Sequence, residues 1–287
     1  MPTEPHDDRA GLVVGRPTTL APGVQRLLAP NPSPMTGPGT NSYVIGGPAS
    51  VIVDPGPEDA THLETLAALA GPDVQAICLT HRHVDHAAGA MRLAAMTGAP
   101  VRAWPKPVAA EHDIELTDCQ PLADGERLVC GDVRLSVHHS PGHAADHVVF
   151  LVDDTGLLVA GDTLMQAATV VILPPDGHMG AYLATLDGLA DLAPATIAPA
   201  HGGLIATPID EITRVRAHRL MREAQIHDCL SHTPKTPEAL VARLYPELES
   251  ALVPVAARQV LAHLIYLAEQ GRAQEHRVGW CAPGGMP

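Results

Sequence analysis

The chain has 287 residues, 46% of them hydrophobic, and a formal charge of −14 from 18 basic and 32 acidic side chains. That length suits one large domain, or one of about 200 residues with a smaller companion, and the apolar share is too high for a disordered chain. No apolar run reaches the roughly 18 residues of a membrane span, MPTEPHDDRA lacks the basic-then-apolar order of a secretory signal, and five scattered cysteines without a CxxC pair read as free thiols in a reducing cytoplasm.

The first 20 residues, rich in Pro, Thr and charge, read as loosely ordered. Residues 24–29, 42–45 and 50–53 read as strands, separated by the turn-formers of 32–39 and 46–48. Asp54-Pro55-Gly56-Pro57 ends the third. Residues 62–70 have helical spacing and stop at Gly71-Pro72. The run 74–79 is continuously apolar, as a strand covered on both faces would be. A helix over 86–97 and a strand over 101–104 follow. The plan then repeats, with strands at 127–130, 133–138, 147–152 and 156–160, a helix at 182–192 and a strand at 196–198. Strands lead and helices follow, twice. The expectation is an α/β protein of two sheets stacked face to face with helices outside.

From about Ile209 the texture changes. A long amphipathic helix over 209–230 is followed by Thr236-Pro237-Glu238, a helix start with an N-cap, Pro at the first position and an acid in the first turn. Short helix 238–244, helix 255–269 and a hairpin strand within 272–277 complete the plan of a winged-helix unit. Domain boundaries are expected at 1–208 and 209–287. The first 209 residues hold 9 basic and 23 acidic side chains, hence −14; the remaining 78 hold 9 of each, hence 0. An acidic chain with one Phe, four Tyr and two Trp offers little to a polyanion, so nucleic acid is not the expected partner. A cap or dimerisation element is the simpler use of a neutral tail, which leaves a homodimer open.

The strongest signal is Thr80-His81-Arg82-His83-Val84-Asp85-His86, between the apolar run 74–79 and a helix. Imidazole and carboxylate converging at a strand end suit a cation such as Zn²⁺, and no thiolate is needed. One such stretch does not complete a site. His143 in Ser-Pro-Gly-His, Asp162 in Gly-Asp-Thr and His201 in Pro-Ala-His-Gly-Gly each follow a strand, where α/β folds gather their chemistry. Gly and Pro beside each let the backbone turn and present the side chain.

THRHVDH, SPGH, GDT and PAHGG, in this order over about residues 20–205, resemble the metallo-β-lactamase superfamily. The resemblance implies an αββα sandwich with a binuclear centre at one edge. It places His81, His83 and His143 on one metal, Asp85, His86 and His201 on the other, and Asp162 between them. Asn31-Pro32-Ser33-Pro34, Gly39-Thr40-Asn41-Ser42-Tyr43, Pro141-Gly142-His143-Ala144-Ala145-Asp146-His147 and the helical tail are similar to the β-lactamase-like protein 2 branch, whose members carry a winged-helix-like tail and whose animal member is a zinc-dependent single-strand endoribonuclease.

The implied cofactors are two divalent cations, zinc first, with manganese and iron also accommodated. They imply a hydrolase in which a metal-bridging hydroxide attacks a carbonyl or phosphorus. Asp85 is the expected catalytic residue, as ligand and as the group that orients the hydroxide. Asp54 either orders the ligand loop or only caps a turn, and Asp146 or His147 either supports a ligand ring or begins a strand. Asn41, Tyr43, His178 and Tyr182 are candidates for substrate contact, and the segment 165–182 is either a lid or an ordinary crossover. A small ester, thioester, lactone or amide is the expected substrate. A single-strand endoribonuclease is the alternative. A one-iron oxidoreductase or a metal-loaded interaction module comes third, weakened by the complete ligand set.

Overall fold

The structure is a computed structural model that describes residues 12–106, 113–166 and 168–284. The loose order expected of the first residues falls outside it as far as residue 11. The described residues form two compact units, one within 12–140, 146–170 and 189–209, the other within 141–145, 171–188 and 210–284. The segments 141–145 and 171–188 thus belong with the tail.

The first unit opens with β1 (Thr18–Ala21), β2 (Val24–Leu28), β3 (Asn41–Gly46) and β4 (Ala49–Val53). Next come α1 (Ala60–Ala70), β5 (Asp73–Cys78), α2 (Val84–Ala87), α3 (Ala90–Thr97), β6 (Val101–Ala103) and β7 (Gln120–Pro121). These seven strands form one sheet in chain order, antiparallel from β1 to β4 and parallel from β4 to β7. A second sheet contains β8 (Arg127–Cys130), β9 (Val133–His139), β10 (Val148–Val152), β11 (Leu157–Gly161) and β12 (Thr196–Pro199), in the order β12-β11-β10-β9-β8.

The two sheets share one apolar layer. Ile45, Val51, Val53 and Cys78 of the first sheet meet Leu135, Val137, Phe150 and Val159 of the second. On the other face of the first sheet, Leu27, Ile52 and Ile77 pack with Leu63 and Leu66 of α1 and Leu93 of α3. A strand with apolar neighbours on both faces loses the period-two alternation, which is why 74–79 reads as one run.

The helix expected over 86–97 is instead two helices broken at Gly89. The Gly89 N–H leaves the helical ladder and donates to Gly56 O at 2.9 Å, and a Cβ there would sit 2.7 Å from the Leu63 side chain. The break comes from a tertiary contact with the loop after β4. It lets α2 be a single turn that faces the centre while α3 packs on the sheet.

In the second unit, α4 (Met179–Leu192) starts at the unit's edge, followed by α5 (Pro208–Cys229), α6 (Pro237–Leu244), α7 (Val253–Glu269), β13 (Gln274–His276) and β14 (Gly279–Cys281). Thr236 caps α6 by accepting from Ala239 N. β13 and β14 pair as the wing, one strand more than the sequence pattern marks. Ile226, Leu240, Val241, Val260, Leu264, Leu267 and Trp280 form the unit's core. Residues 250–269 are the one helical stretch among the described residues long and apolar enough to cross a membrane, with a mean hydropathy of 1.5. Its apolar side includes Val260, Leu264 and Leu267, and these are buried in that core.

Candidate metal centre

The chain leaves β5 at Cys78 and turns through Leu79 and Thr80 into the histidine-rich stretch, with His83 at the N-terminus of α2 and Asp85 and His86 on its single turn. Asp54, at the end of the neighbouring strand β4, fixes this turn. Its φ of +51° is a left-handed conformation that Asp tolerates better than most residues. Its Oδ1 accepts from Thr80 N at 2.7 Å. Its Oδ2 accepts from Thr80 Oγ1 at 2.7 Å and from His86 Nδ1 at 2.9 Å. Because the Thr80 hydroxyl donates to Asp54, it accepts from His81 Nδ1, 3.1 Å away. One buried carboxylate therefore sets the tautomer of two imidazoles, directly for His86 and through Thr80 for His81. In each, Nδ1 donates a proton to its acceptor, and Nε2 is the nitrogen left for a metal ion. His81 Nε2 and His83 Nδ1 face each other at 2.9 Å.

Four side chains then close on one point. His201 Nε2 lies 3.3 Å from both Asp85 Oδ2 and Asp162 Oδ1. His86 Nε2 lies 3.6 Å from the same two oxygens, is buried, and makes no hydrogen bond. Donor atoms about 2.0–2.1 Å from a tetrahedral zinc are roughly 3.3 Å apart, so the spacing fits a cation. The donor set fits as well, with imidazole nitrogens and carboxylate oxygens directed inward. His81, His86 and Asp162 form one group whose ligand atoms lie within 4.8 Å of one another, and Asp85, His86 and His201 form another.

Asp162 and His201 are each held from behind. Asp162 N donates to His147 Nε2 at 3.0 Å, which puts the His147 proton on Nδ1, 2.8 Å from Ser140 Oγ. His147 thus anchors the backbone of Asp162, and its ring lies 5.0 Å, centroid to centroid, from that of His81. Only glycine fits before Asp162, since a Cβ on Gly161 would lie 2.5 Å from His147 Nε2 and 2.8 Å from Thr80. His201 Nδ1 donates to Gly39 O at 3.2 Å. The N–H of that same peptide, on Thr40, donates to Asn31 Oδ1 at 2.9 Å, while Asn31 Nδ2 donates to Thr40 Oγ1 at 2.9 Å.

Asn41 and Tyr43 face the His201 loop from beneath. Asn41 Nδ2 donates to Pro199 O and Gly202 O at 2.9 Å each, and the Tyr43 hydroxyl donates to Pro199 O at 2.6 Å. Both residues are buried, so the structure gives these two substrate candidates a scaffold role.

His143 lies in the second unit, on the loop between β9 and β10. Gly142 sits directly against the first turn of α4, where any Cβ would collide with the Tyr182 backbone. Thr185 Oγ1 donates to Pro141 O at 2.7 Å, and His178 N donates to Gly142 O at 2.8 Å. The His143 ring donates from Nδ1 to Val171 O at 2.7 Å, which again leaves Nε2 with the lone pair. His178, a substrate candidate by sequence, accepts from Ala181 N on Nδ1 and therefore donates from Nε2 to Glu269 Oε1 at 2.8 Å. Tyr182, the fourth candidate, is buried with the Arg219 guanidinium 5.4 Å over its ring. The crossover 171–176 is tied to α7 by Ile172 N donating to Gln259 Oε1 and Arg258 Nη2 donating to Pro174 O, bonds that do not suit a free lid.

A buried charge network beside the histidine stretch left no trace in the sequence pattern. Lys106 Nζ lies 2.7 Å from Asp113 Oδ2 and 3.2 Å from Asp146 Oδ1, and Arg82 Nε lies 3.7 Å from Asp146 Oδ2. Both carboxylates are fully buried and need such partners.

Comparison with known proteins agrees with this geometry. Residues 35–201 match the family model of the Metallo-beta-lactamase superfamily, more than half of the chain. The chain belongs to this superfamily. Residues 236–280 match the Beta-lactamase associated winged helix domain, which accounts for α6, α7 and the β13–β14 wing. The Beta-lactamase-like protein 2 homolog of Drosophila melanogaster is 32% identical over 270 residues, covering 89% of this chain and 91% of that protein. An Atrochrysone carboxyl ACP thioesterase of Emericella nidulans is 29% identical over 212 residues, 72% of this chain and 64% of that one. Among solved structures, a metallo-beta-lactamase family protein from Thermus thermophilus superposes with a TM-score of 0.76 at 26% identity, covering 92% of this chain and all of that one. The superfamily consists mostly of hydrolytic metalloenzymes, and its fold commonly holds two divalent metals.

The electrostatics of the metal-free cluster follow from its crowding. Burial pulls the His86 imidazole down, but Asp85, Asp54 and Asp162 outweigh it and hold His86 well above its ordinary value of 6.5. Burial likewise lowers His201, and Asp162 and Asp85 raise it further than burial lowers it. Asp85 moves the other way: burial would raise it, yet His86 and His201 bring it down to about 2.

Two outcomes are expected. Asp54→Asn leaves Thr80 and His86 without a carboxylate acceptor, so metal affinity should fall by about 10- to 100-fold. Competition titration with a chromophoric chelator checks this, and unchanged affinity would show that His86 is held by something else. The second concerns pH. His86 and His201 bind protons more tightly in the folded metal-free chain than in the unfolded one. Their contribution is therefore complete below 6.5 and is lost as pH rises through their folded values. The difference in urea midpoint between the metal-free protein and its His86→Gln variant should shrink as pH rises above 6.5, a comparison that cancels the opposite slope of His62 and His263, which burial lowers. A difference that grows over that range would contradict the sign.

Proposed function

We propose that this chain is a binuclear metal-dependent hydrolase of a small ester, thioester, lactone or amide. The convergence of Asp85, His86, Asp162 and His201 at ligand spacing carries the reading. His81, His83 and His143 would hold one ion and Asp85, His86 and His201 the other, with Asp162 shared between them. Bound there, two divalent ions, zinc first and manganese or iron otherwise, supply Lewis acidity and acidified water. Asp85 is the more open of the two carboxylates, 26% exposed against 12% for Asp162. In this reading it would accept a hydrogen bond from the attacking water and aim it. Asp54 stays out of the reaction and keeps His86 and His81 in one tautomer.

Two observations narrow the substrate. The charge of −14 sits wholly in the first 209 residues, which disfavours a polyanion and suits a neutral or cationic molecule. The similarity to a protein named as an acyl-carrier thioesterase supports an acyl thioester first. A second reading, a single-strand endoribonuclease, draws on the winged-helix match, since such modules serve as nucleic-acid readers. The tail's balance of nine basic and nine acidic residues counts against it.

Elemental analysis should give two transition-metal ions per chain. The zinc-loaded protein should cleave an acyl thioester faster than a phosphodiester or single-stranded RNA of about 20 nucleotides, and RNA should bind weakly with little salt dependence. RNA cleavage with tight, salt-sensitive binding would establish the second reading, and one ion per chain under metal-replete conditions would end the binuclear one. Asp85→Asn should remain folded and lose at least about 10²-fold in kcat, some 2.7 kcal/mol of transition-state stabilisation. A rate near that of the wild type at saturating metal would remove Asp85 from its role.

A further inference from the structure

Within the second unit, one peptide group joins the helical tail to the ring of His143. His143 Nδ1 donates to the carbonyl of Val171 at 2.7 Å. The other end of that peptide, the N–H of Ile172, donates to Oε1 of Gln259 at 2.8 Å. Carbonyl and N–H of one trans peptide lie in a plane and point in opposite directions. Turning the N–H away from Gln259 therefore turns the carbonyl away from His143. The identity of the glutamine atom is fixed by its partner, because an N–H needs an acceptor.

Gln259 lies on α7, 87 residues beyond the peptide it holds. Its neighbours Ala257 and Val260 are buried in the tail's core, so the position of the amide is set by the packing of α7 against α6 and the wing. Arg258 Nη2 donates to Pro174 O at 3.0 Å and fastens the same segment two residues further on. These bonds run from the helical tail to the ring of His143 without leaving the second unit.

We propose that Gln259 is a positioning residue for the metal centre. It holds the Val171–Ile172 peptide, and that peptide holds the His143 imidazole with Nε2 turned to its ion. The inference rests on the reading above in which His143 is a ligand.

The experiment compares three variants of the full chain by zinc titration and by the visible spectrum of the cobalt-loaded protein, with the melting temperature of the metal-free form as a control for folding. Gln259→Leu should weaken one of the two ions by about 10- to 100-fold and change one set of cobalt bands, leaving the other ion as in the wild type. Gln259→Glu keeps an acceptor oxygen and should restore most of that affinity. Arg258→Leu loosens the same segment without touching the peptide, and both ions should bind as in the wild type. The inference is overturned if Gln259→Leu holds both ions with unchanged affinity, if it loses both alike, or if Arg258→Leu is as damaging. A wild type that takes up one ion defeats the binuclear reading instead. Gln259 is then judged by whether that ion's affinity falls in Gln259→Leu and returns in Gln259→Glu.

Discussion

The carboxylate of Asp54 accepts three hydrogen bonds, from Thr80 N, Thr80 Oγ1 and His86 Nδ1, and the arrangement of the centre depends on them. A buried carboxylate is stable only with such partners, and here they are the residues that orient two candidate ligands. The left-handed backbone at Asp54 is part of the same requirement. It turns the chain at the end of β4 so that the side chain runs back beneath the turn after β5. The parallel pairing of β4 and β5 brings the two strand ends side by side, and the sheet exists in that form because both faces of β5 are covered.

An imidazole presents one nitrogen reliably only if the other is engaged. Asp54 engages His86, and Thr80 engages His81. For His201 and His143 the partner is a backbone carbonyl, and in both cases the far end of that peptide is gripped by a side-chain amide: Asn31 for Gly39–Thr40, Gln259 for Val171–Ile172. The recurrence has a simple physical basis. A carbonyl accepts from any direction near its plane, so it orients a ring only when its own plane is fixed. An amide oxygen on the N–H end supplies that fixation without adding charge beside a cation site.

The sequence showed the histidine stretch, SPGH, GDT and PAHGG because metal chemistry restricts residue types, and glycine and proline mark where the backbone must turn. It also showed the layered α/β plan and the winged-helix tail, since apolar runs and a capped helix start are local signals. Asp54 was legible as a residue that either orders the ligand loop or caps a turn, and no local spacing decides between the two because its partners lie 26 and 32 residues away. The break at Gly89 was invisible for a similar reason, because the cause is a carbonyl of a distant loop. Asn41 and Tyr43 looked like walls of a cleft, and it took their bonds to Pro199, more than 150 residues on, to show what they hold. Lys106 offered no signal at all: a single lysine becomes informative only once two buried aspartates are found around it.

The inward clustering of His86, His201, Asp85 and Asp162 has a consequence for how the centre fills. Without metal, the carboxylates raise the proton affinity of His86 and His201 above the usual imidazole range. A cation held by these side chains would have to displace those protons. Its uptake would then be an exchange of hydrogen ions for metal ions, opposed by acidity and itself releasing acid.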